Sequence, residues 1–209
     1  MIILLFVIGY GFGKFNYWVI NYITKQASKA YLVEFGTALA VVYLFYHQEI
    51  LDWHMIVSSF LLMECCILVS AIDIKEGYIY LHLLAGFCLL RLLVISSLEE
   101  LSRMVIASLV ALGLYMAIYL LGQYLFQKEA MGMGDVYYFC CLALWLDWYE
   151  VILVGIGAFW VALVVVILYY TGTNKMLERL AFAPMMSIAC ILIYFYGDWF
   201  INMYWQLIV

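Results

Sequence analysis

The chain has 209 residues, of which 70% are hydrophobic and 11% are charged, and its net charge is −5. Water-soluble domains are about half apolar and about a quarter charged, so a soluble enzyme, a secreted disulfide-bonded protein and a disordered chain are excluded. A negative charge without a basic stripe also argues against nucleic acid as a partner. The composition therefore predicts an all-α integral membrane protein with the lipid bilayer as its surroundings.

Eight apolar stretches predict the membrane topology, since a spanning helix needs about 20 apolar residues. We predict a bundle of about eight transmembrane helices, forming one polytopic domain over residues 1–209, at residues 2–23, 31–46, 54–72, 78–97, 104–126, 135–147, 150–170 and 182–206. The start of the chain lacks the basic segment and cleavage site of a signal peptide, so we expect the first helix to be retained.

Charges in the links between these spans predict their orientation. The odd-numbered links hold six basic residues and the even-numbered links hold one. The positive-inside rule therefore places the odd links in the cytoplasm and both termini outside.

Two features within the spans predict contacts between helices. Gly9 and Gly13 form a small-x-x-x-small pattern, which we expect to pack against another helix of the same chain. Lys14, Glu34, Glu64 and Arg91 lie within apolar stretches. Charged side chains in such positions must face protein, a cavity or the interface.

The six cysteines occur as adjacent pairs or singly within apolar stretches, and no C-x-x-C occurs. This spacing fits neither a zinc site nor a thioredoxin-type site. We therefore expect no metal and no cofactor, and we interpret the cysteines as small apolar side chains in packed helices.

Two odd-numbered links carry an aspartate next to a helix boundary. Asp73 lies at the end of the third span, and Asp135 follows Gly132-Met133-Gly134 at the start of the sixth. The two spans between them lead out and back, so we expect both carboxylates on the cytoplasmic side. Two carboxylates a few ångströms apart share one proton, and such a pair can activate water and protonate a leaving group. The glycines would leave room for a substrate backbone and permit unusual backbone angles before Asp135.

Each aspartate also has a structural interpretation. An aspartate at a helix N-terminus, such as Asp135, often serves as a cap that complements the helix dipole. Asp73, beside Lys75 and Glu76, also fits an ordinary solvated loop residue. Their matched depth on one side of the membrane favours the catalytic interpretation.

These residues resemble the bacterial type IV prepilin peptidases, which are intramembrane aspartic proteases with a G-x-G-D motif. Residues 132–135, including Met133, resemble the second catalytic motif, and Asp73 has the position of the first catalytic aspartate. Phe182-Ala183-Pro184, with the one proline of the chain, is similar to an F-G-P element before the last span. The resemblance implies that Asp73 and Asp135 are catalytic and that the protein lies in the bacterial cytoplasmic membrane.

The resemblance also implies a substrate: a type IV prepilin or pseudopilin with a short basic leader, ending in glycine, ahead of a hydrophobic helix. Such substrates belong to pilus, competence or secretion systems. Glu76 and Glu129 lie near the motifs, and we expect them to attract the leader. Bifunctional members of the family carry a cysteine-rich loop after the first span, associated with zinc and with N-methylation. Here residues 24–30 replace it without a cysteine, so the resemblance is to a short form and does not extend to methyltransferase activity.

Two other functions remain open: a small proton-coupled transporter that uses buried acids, and a catalytically inactive assembly protein of a pilus or secretion system. A transporter would hold its acids near the bilayer midplane and repeat its two halves. The two aspartates lie at span ends instead, and no repeat is found. We therefore predict an aspartic endopeptidase that removes the leader on the cytoplasmic side, with its oligomeric state left open.

Overall fold

A computed structural model describes residues 2–24, 33–34, 36–41, 53–127, 131–175 and 180–208. Residues 33–34 and 36–41 are helical. A 3-10 turn, Ala143–Trp145, follows the helix Met133–Leu142. These ranges contain no strand, which confirms the all-α class. The labelled helices are α1 (Ile2–Thr24), α2 (Trp53–Glu76), α3 (Leu81–Leu93), α4 (Leu98–Phe126), α5 (Met133–Leu142), α6 (Trp148–Thr173) and α7 (Ala183–Ile208).

Three helices of the described ranges are long and apolar enough to cross a membrane: Trp53–Glu76, Leu98–Leu125 and Trp148–Thr173. The prediction of a membrane protein is therefore confirmed. All eight predicted spans coincide with helical residues, the second of them only at residues 33–34 and 36–41. The fourth and sixth predicted spans correspond to short helices. The helix α3 has 13 residues, and α5 has 10 residues before the chain tightens into the 3-10 turn. A helix of 13 residues is about 20 Å long, which is less than the roughly 30 Å hydrocarbon core.

Local capping explains where the longer helices begin and end. The Ser97 side chain accepts a hydrogen bond from the first turn of α4, so that helix begins at Leu98 rather than at residue 104. Asp147 and Glu150 form a reciprocal capping box at the start of α6. Gln127 and Asn174 adopt left-handed conformations that end α4 and α6.

The chain forms two compact units, Met1–Ser96 and Ser97–Val209. In the first unit α2 packs against α1 and α3. A Cβ added at Gly9 would lie 2.7 Å from the Cα of Ala38, and one added at Gly13 would lie 2.5 Å from the Cα of Glu34. The glycines thus allow two helical segments of the same chain to touch, as the small-x-x-x-small pattern predicts.

The same unit buries polar side chains inside its helices. Glu64 is 7% exposed and Arg91 is 6% exposed, so both face protein as expected. The Asn16 side chain donates hydrogen bonds to Glu64 Oε2 and to Thr37 Oγ1, the latter at 3.3 Å. Lys14, in contrast, is exposed on α1. The Asn16 amide therefore joins α1 to α2 and to residue 37.

In the second unit α4 packs against α5 and α6, α6 packs against α7, and α5 also contacts α7. The ring of Tyr115 on α4 stacks on Phe139 of α5, with their centroids 3.8 Å apart. Tyr138, Phe139 and Leu142 of α5 are fully buried. The short helix α5 is therefore held between α4 and α7.

All six cysteines lie in the described helices, and none forms a disulfide. Four of them are buried, and Cys88 and Cys140 are half-buried. They pack as small apolar side chains, as predicted. Among the residues that the structure describes, no group of three or more His, Cys, Asp or Glu side chains is arranged to hold a metal ion.

Candidate active site

Asp73 lies in the last turn of α2 and is buried, with 6% of its surface exposed. The helix ends because Gly77 adopts a φ of +63°, and the Gly77 N–H donates to the Asp73 carbonyl at 2.8 Å. Glycine adopts this left-handed conformation without steric cost. The solvated-loop interpretation of Asp73 is therefore wrong, since the helix continues beyond it to Glu76.

Charged and polar side chains surround this end of α2. Lys75 Nζ donates to Thr24 Oγ1 at 3.3 Å, which brings the ends of α1 and α2 together. The Tyr80 hydroxyl donates to Glu76 Oε2 at 2.6 Å. This hydrogen bond to a carboxylate raises the pKa of Tyr80 above its ordinary value. Glu76, expected to attract the leader, thus already accepts a hydrogen bond within the chain.

Asp135 lies in the first turn of α5, where the sequence predicts it. Its backbone N–H donates to the Gly132 carbonyl at 3.1 Å. Gly132 has φ −71° and ψ 142°, and Gly77 is the one glycine of positive φ within the described ranges. The motif glycines therefore do not use the unusual backbone angles that glycine permits. A Cβ at Gly132 would lie 3.4 Å from Asp135 Oδ2, at van der Waals contact distance, so this glycine places its backbone directly beside the carboxylate.

Asp135 lines a cavity of about 580 Å³ within the second unit, and we call this cavity the Asp135 cavity. Among the described residues that line it, Asp135 is the one ionisable residue. Phe182 and Phe159 form part of the wall, with ring centroids 5.2 Å apart. The lining residues are Ile118, Leu121, Gly122, Leu125, Met131, Gly132, Asp135, Phe159, Leu180 and Phe182. An apolar cavity with one carboxylate can hold an apolar side chain next to an acid or a base.

The structure brings several of the predicted site residues together. Phe182 of the F-A-P segment lies in the same cavity as Asp135 and Gly132. Pro184 is buried in the first turn of α7, where the missing N–H of proline has no effect on the helix. Met133 is exposed.

Other predicted residues stay apart from that cavity or are not described. Gly134 is half-buried in the first turn of α5. Glu129 lies outside the described residues. Asp73 belongs to the first unit and Asp135 to the second, so the pairing of the two carboxylates stays a prediction.

Several residues beside the cavity were missed in the sequence. Phe159 of α6 lines the cavity, and Tyr115 lies one turn before Ile118 on the face of α4 that lines it. Tyr138 and Ser187 form a buried hydrogen bond of 2.6 Å between α5 and α7. The helical spacing of residues 115, 118, 122 and 125 could have identified the face of α4 that lines the cavity. In contrast, the residues next to Tyr138 and Ser187 in the sequence give no sign of the hydrogen bond between them.

Comparison with known proteins identifies the family. A model of the type IV leader peptidase family matches residues 60–167, just over half of the chain. The matched segment contains Asp73, the G-M-G-D motif and Phe159, and it ends before Phe182. No curated protein and no solved structure matches the chain significantly. The chain is a helical membrane protein that belongs to the type IV leader peptidase family, and its resemblance to a peptidase is thereby confirmed.

Proposed function

We propose that the protein is an aspartic endopeptidase that removes the leader of type IV prepilin-like proteins at the cytoplasmic face of the membrane. One observation carries this proposal. Among the described residues that line the apolar Asp135 cavity, Asp135 is the one ionisable residue, and it lies in a segment that matches a leader peptidase family. A carboxyl group beside an apolar cavity suits hydrolysis of a peptide bond that precedes a hydrophobic helix.

The proposed chemistry uses Asp73 and Asp135 as a pair that shares one proton. The ionised carboxylate takes a proton from water, which attacks the scissile carbonyl carbon. The protonated partner donates its proton to the leaving amide nitrogen, and the C–N bond breaks into a carboxylic acid and an amine. Since the pair titrates as a unit, acid and base are not assigned to individual residues.

The cavity supports a substrate that is apolar beside the scissile bond. Phe159 and Phe182 offer aromatic surface, and Gly132 leaves the cavity open next to Asp135. A polypeptide in extended conformation needs such space along its backbone. We assign the attraction of the basic leader to Glu76, a half-buried acid at the end of α2, with Glu129 as a further candidate.

The cytoplasmic orientation rests on charge and on one contact. Lys75 at the end of α2 contacts Thr24 at the end of α1, so the first and third links begin at the same end of the first unit. Both links carry lysines. The positive-inside rule assigns that end to the cytoplasm, with both termini outside.

A second candidate function, proton-coupled transport, is favoured by Glu64. This glutamate is buried halfway along a membrane-spanning helix and accepts a hydrogen bond from Asn16. Buried acids within spans often relay protons. A transporter would acidify or alkalinise the inside of a vesicle in response to its substrate, whereas a peptidase would not. An inactive assembly protein, the third candidate, would show neither activity.

Co-expression with a prepilin-like substrate tests the proposal. We expect the mass of the substrate to fall by the mass of the leader with the wild type, and to stay unchanged with Asp73→Asn or Asp135→Asn. Glu99→Gln, at an exposed position in the first turn of α4, is the matched control and should cleave normally. Cleavage that persists in both aspartate variants would refute the aspartic mechanism. The mass spectrum of the cleaved substrate would also reveal a methyl group on its new N-terminus, and we expect none.

A further inference from the structure

We propose that Tyr138 and Ser187 are positioning residues that hold the Phe182 wall of the Asp135 cavity close to Asp135. By doing so they determine how large a side chain the enzyme accepts beside the scissile bond. The inference rests on the proposed peptidase function and adds a specificity determinant to it.

The two residues form a directed chain of hydrogen bonds inside the second unit. Ser187 Oγ donates to the Ala183 carbonyl at 2.8 Å. The Tyr138 hydroxyl and Ser187 Oγ are 2.6 Å apart, and because the serine proton is used on Ala183, the tyrosine is the donor. Tyr138 is 0% exposed and Ser187 is 4% exposed. Water does not compete with these bonds, so they are stronger than the same bonds at the surface.

Both ends of this chain lie next to the cavity. Tyr138 follows Asp135 by less than one turn of α5, and Ala183 adjoins Phe182, whose ring lines the cavity. The helix α5 has only 10 residues, and Gly132 gives it no side-chain cap. Its position relative to α7 therefore depends on contacts such as this one. Loss of the bond would let the first turn of α7, and Phe182 with it, move away from Asp135.

Two substitutions remove the bond with little change in shape. Tyr138→Phe removes only the hydroxyl, and Ser187→Ala removes only Oγ. We expect each to shift the preference toward a bulky residue after the scissile bond by about threefold or more, which is the value of one buried hydrogen bond. The double variant should shift the preference no further, because both substitutions remove the same interaction.

Competition between two substrates in one tube measures this preference. The purified full-length protein receives two prepilin-like substrates that differ only after the scissile bond, phenylalanine in one and alanine in the other. Their ratio of kcat/KM does not depend on how much of each variant is folded, so instability alone leaves it unchanged. Tyr119→Phe is the matched control, since the Tyr119 hydroxyl accepts its bond from Gln123 in the same helix.

A shifted ratio in both single variants, an equal shift in the double variant and an unchanged ratio in Tyr119→Phe would support the inference. Ratios within 1.5-fold of wild type, roughly 0.25 kcal/mol, in Tyr138→Phe and Ser187→Ala would overturn it while leaving the peptidase function intact. A double-variant shift equal to the product of the single shifts would also overturn it, as would the same shift in Tyr119→Phe. Failure of the wild type to cleave either substrate would refute the proposed function and the inference with it.

Discussion

Substitution of Gly13 by alanine is expected to weaken the contact between α1 and the helical residues 33–34 and 36–41. The added Cβ would lie 2.5 Å from the Cα and 2.8 Å from the carbonyl oxygen of Glu34. Carbon atoms in contact are normally about 3.5–4.0 Å apart, so the two backbones must separate by about 1 Å. No side-chain rotation can relieve this clash, because the atoms it involves belong to the backbone.

The expected cost follows from three contributions. Overpacking of this kind costs about 1–3 kcal/mol. The separation also lengthens the hydrogen bond from Asn16 to Thr37, already 3.3 Å, which is worth about 0.5–1.5 kcal/mol. Alanine returns about 0.5–1 kcal/mol as a better helix former than glycine. The net loss is about 0.5–4 kcal/mol, and its central value of about 2 kcal/mol corresponds to about 4–8 °C in Tm for a chain of this size.

Thermal unfolding in detergent, followed by circular dichroism, measures the effect against a control in the same helix. A Cβ at Gly11 would meet nothing within 4 Å, so Gly11→Ala should leave the Tm unchanged or raise it by up to about 4 °C, because alanine favours the helix. Equal Tm values for the Gly13→Ala and Gly11→Ala variants would refute the close approach of α1 to residue 34.

Three further predictions concern buried groups and pH. Glu64→Gln keeps an acceptor for Asn16 and should lower the free energy of unfolding by less than about 1 kcal/mol. Glu64→Leu leaves the Asn16 amide poorly paired and should lower it by about 1–3 kcal/mol in the same unfolding assay. Equal losses for the two variants would contradict the buried hydrogen bond. The Tyr115 hydroxyl is buried and has no hydrogen-bond partner among the described residues, so Tyr115→Phe should leave the Tm unchanged or raise it by up to about 3 °C, and a clear fall would show that the hydroxyl has a partner. Leader cleavage should follow a bell-shaped pH profile, because the aspartate pair is inactive when both members are protonated and when the shared proton is lost. A profile with a single limb would contradict a shared proton.

Local motifs predicted the positions of Asp135 and Phe182 in the second unit well. The sequence places Asp135 in the first turn of a helix, and the structure agrees. It also singles out Phe182, and the structure puts that ring in the cavity with Asp135. Both predictions rest on residues within a few positions of a helix start, where capping and proline act locally.

Helix lengths were harder to predict, because apolar residues fill the chain on every helix face. The apolar pattern predicts that the third span ends at residue 72, but α2 continues through Lys75 and Glu76 until Gly77 takes a positive φ. With all faces apolar, periodicity does not separate residues that face lipid from those that face protein. The sequence does not indicate the hydrogen bond between Tyr138 and Ser187, because the two residues are 49 positions apart and only the packing of α5 against α7 brings them together.

The most direct test of the account is leader removal by the purified protein in detergent. We predict that the wild type cleaves a prepilin-like substrate, and that Asp135→Asn lowers kcat by about 10²–10⁴-fold, the contribution of a general acid or base. Asp73→Asn should have an equal effect, and the Tm of each variant should confirm that it is folded. Folded variants that keep kcat within threefold of wild type, about 0.65 kcal/mol in barrier height, would contradict the central claim that this membrane protein is an aspartic peptidase.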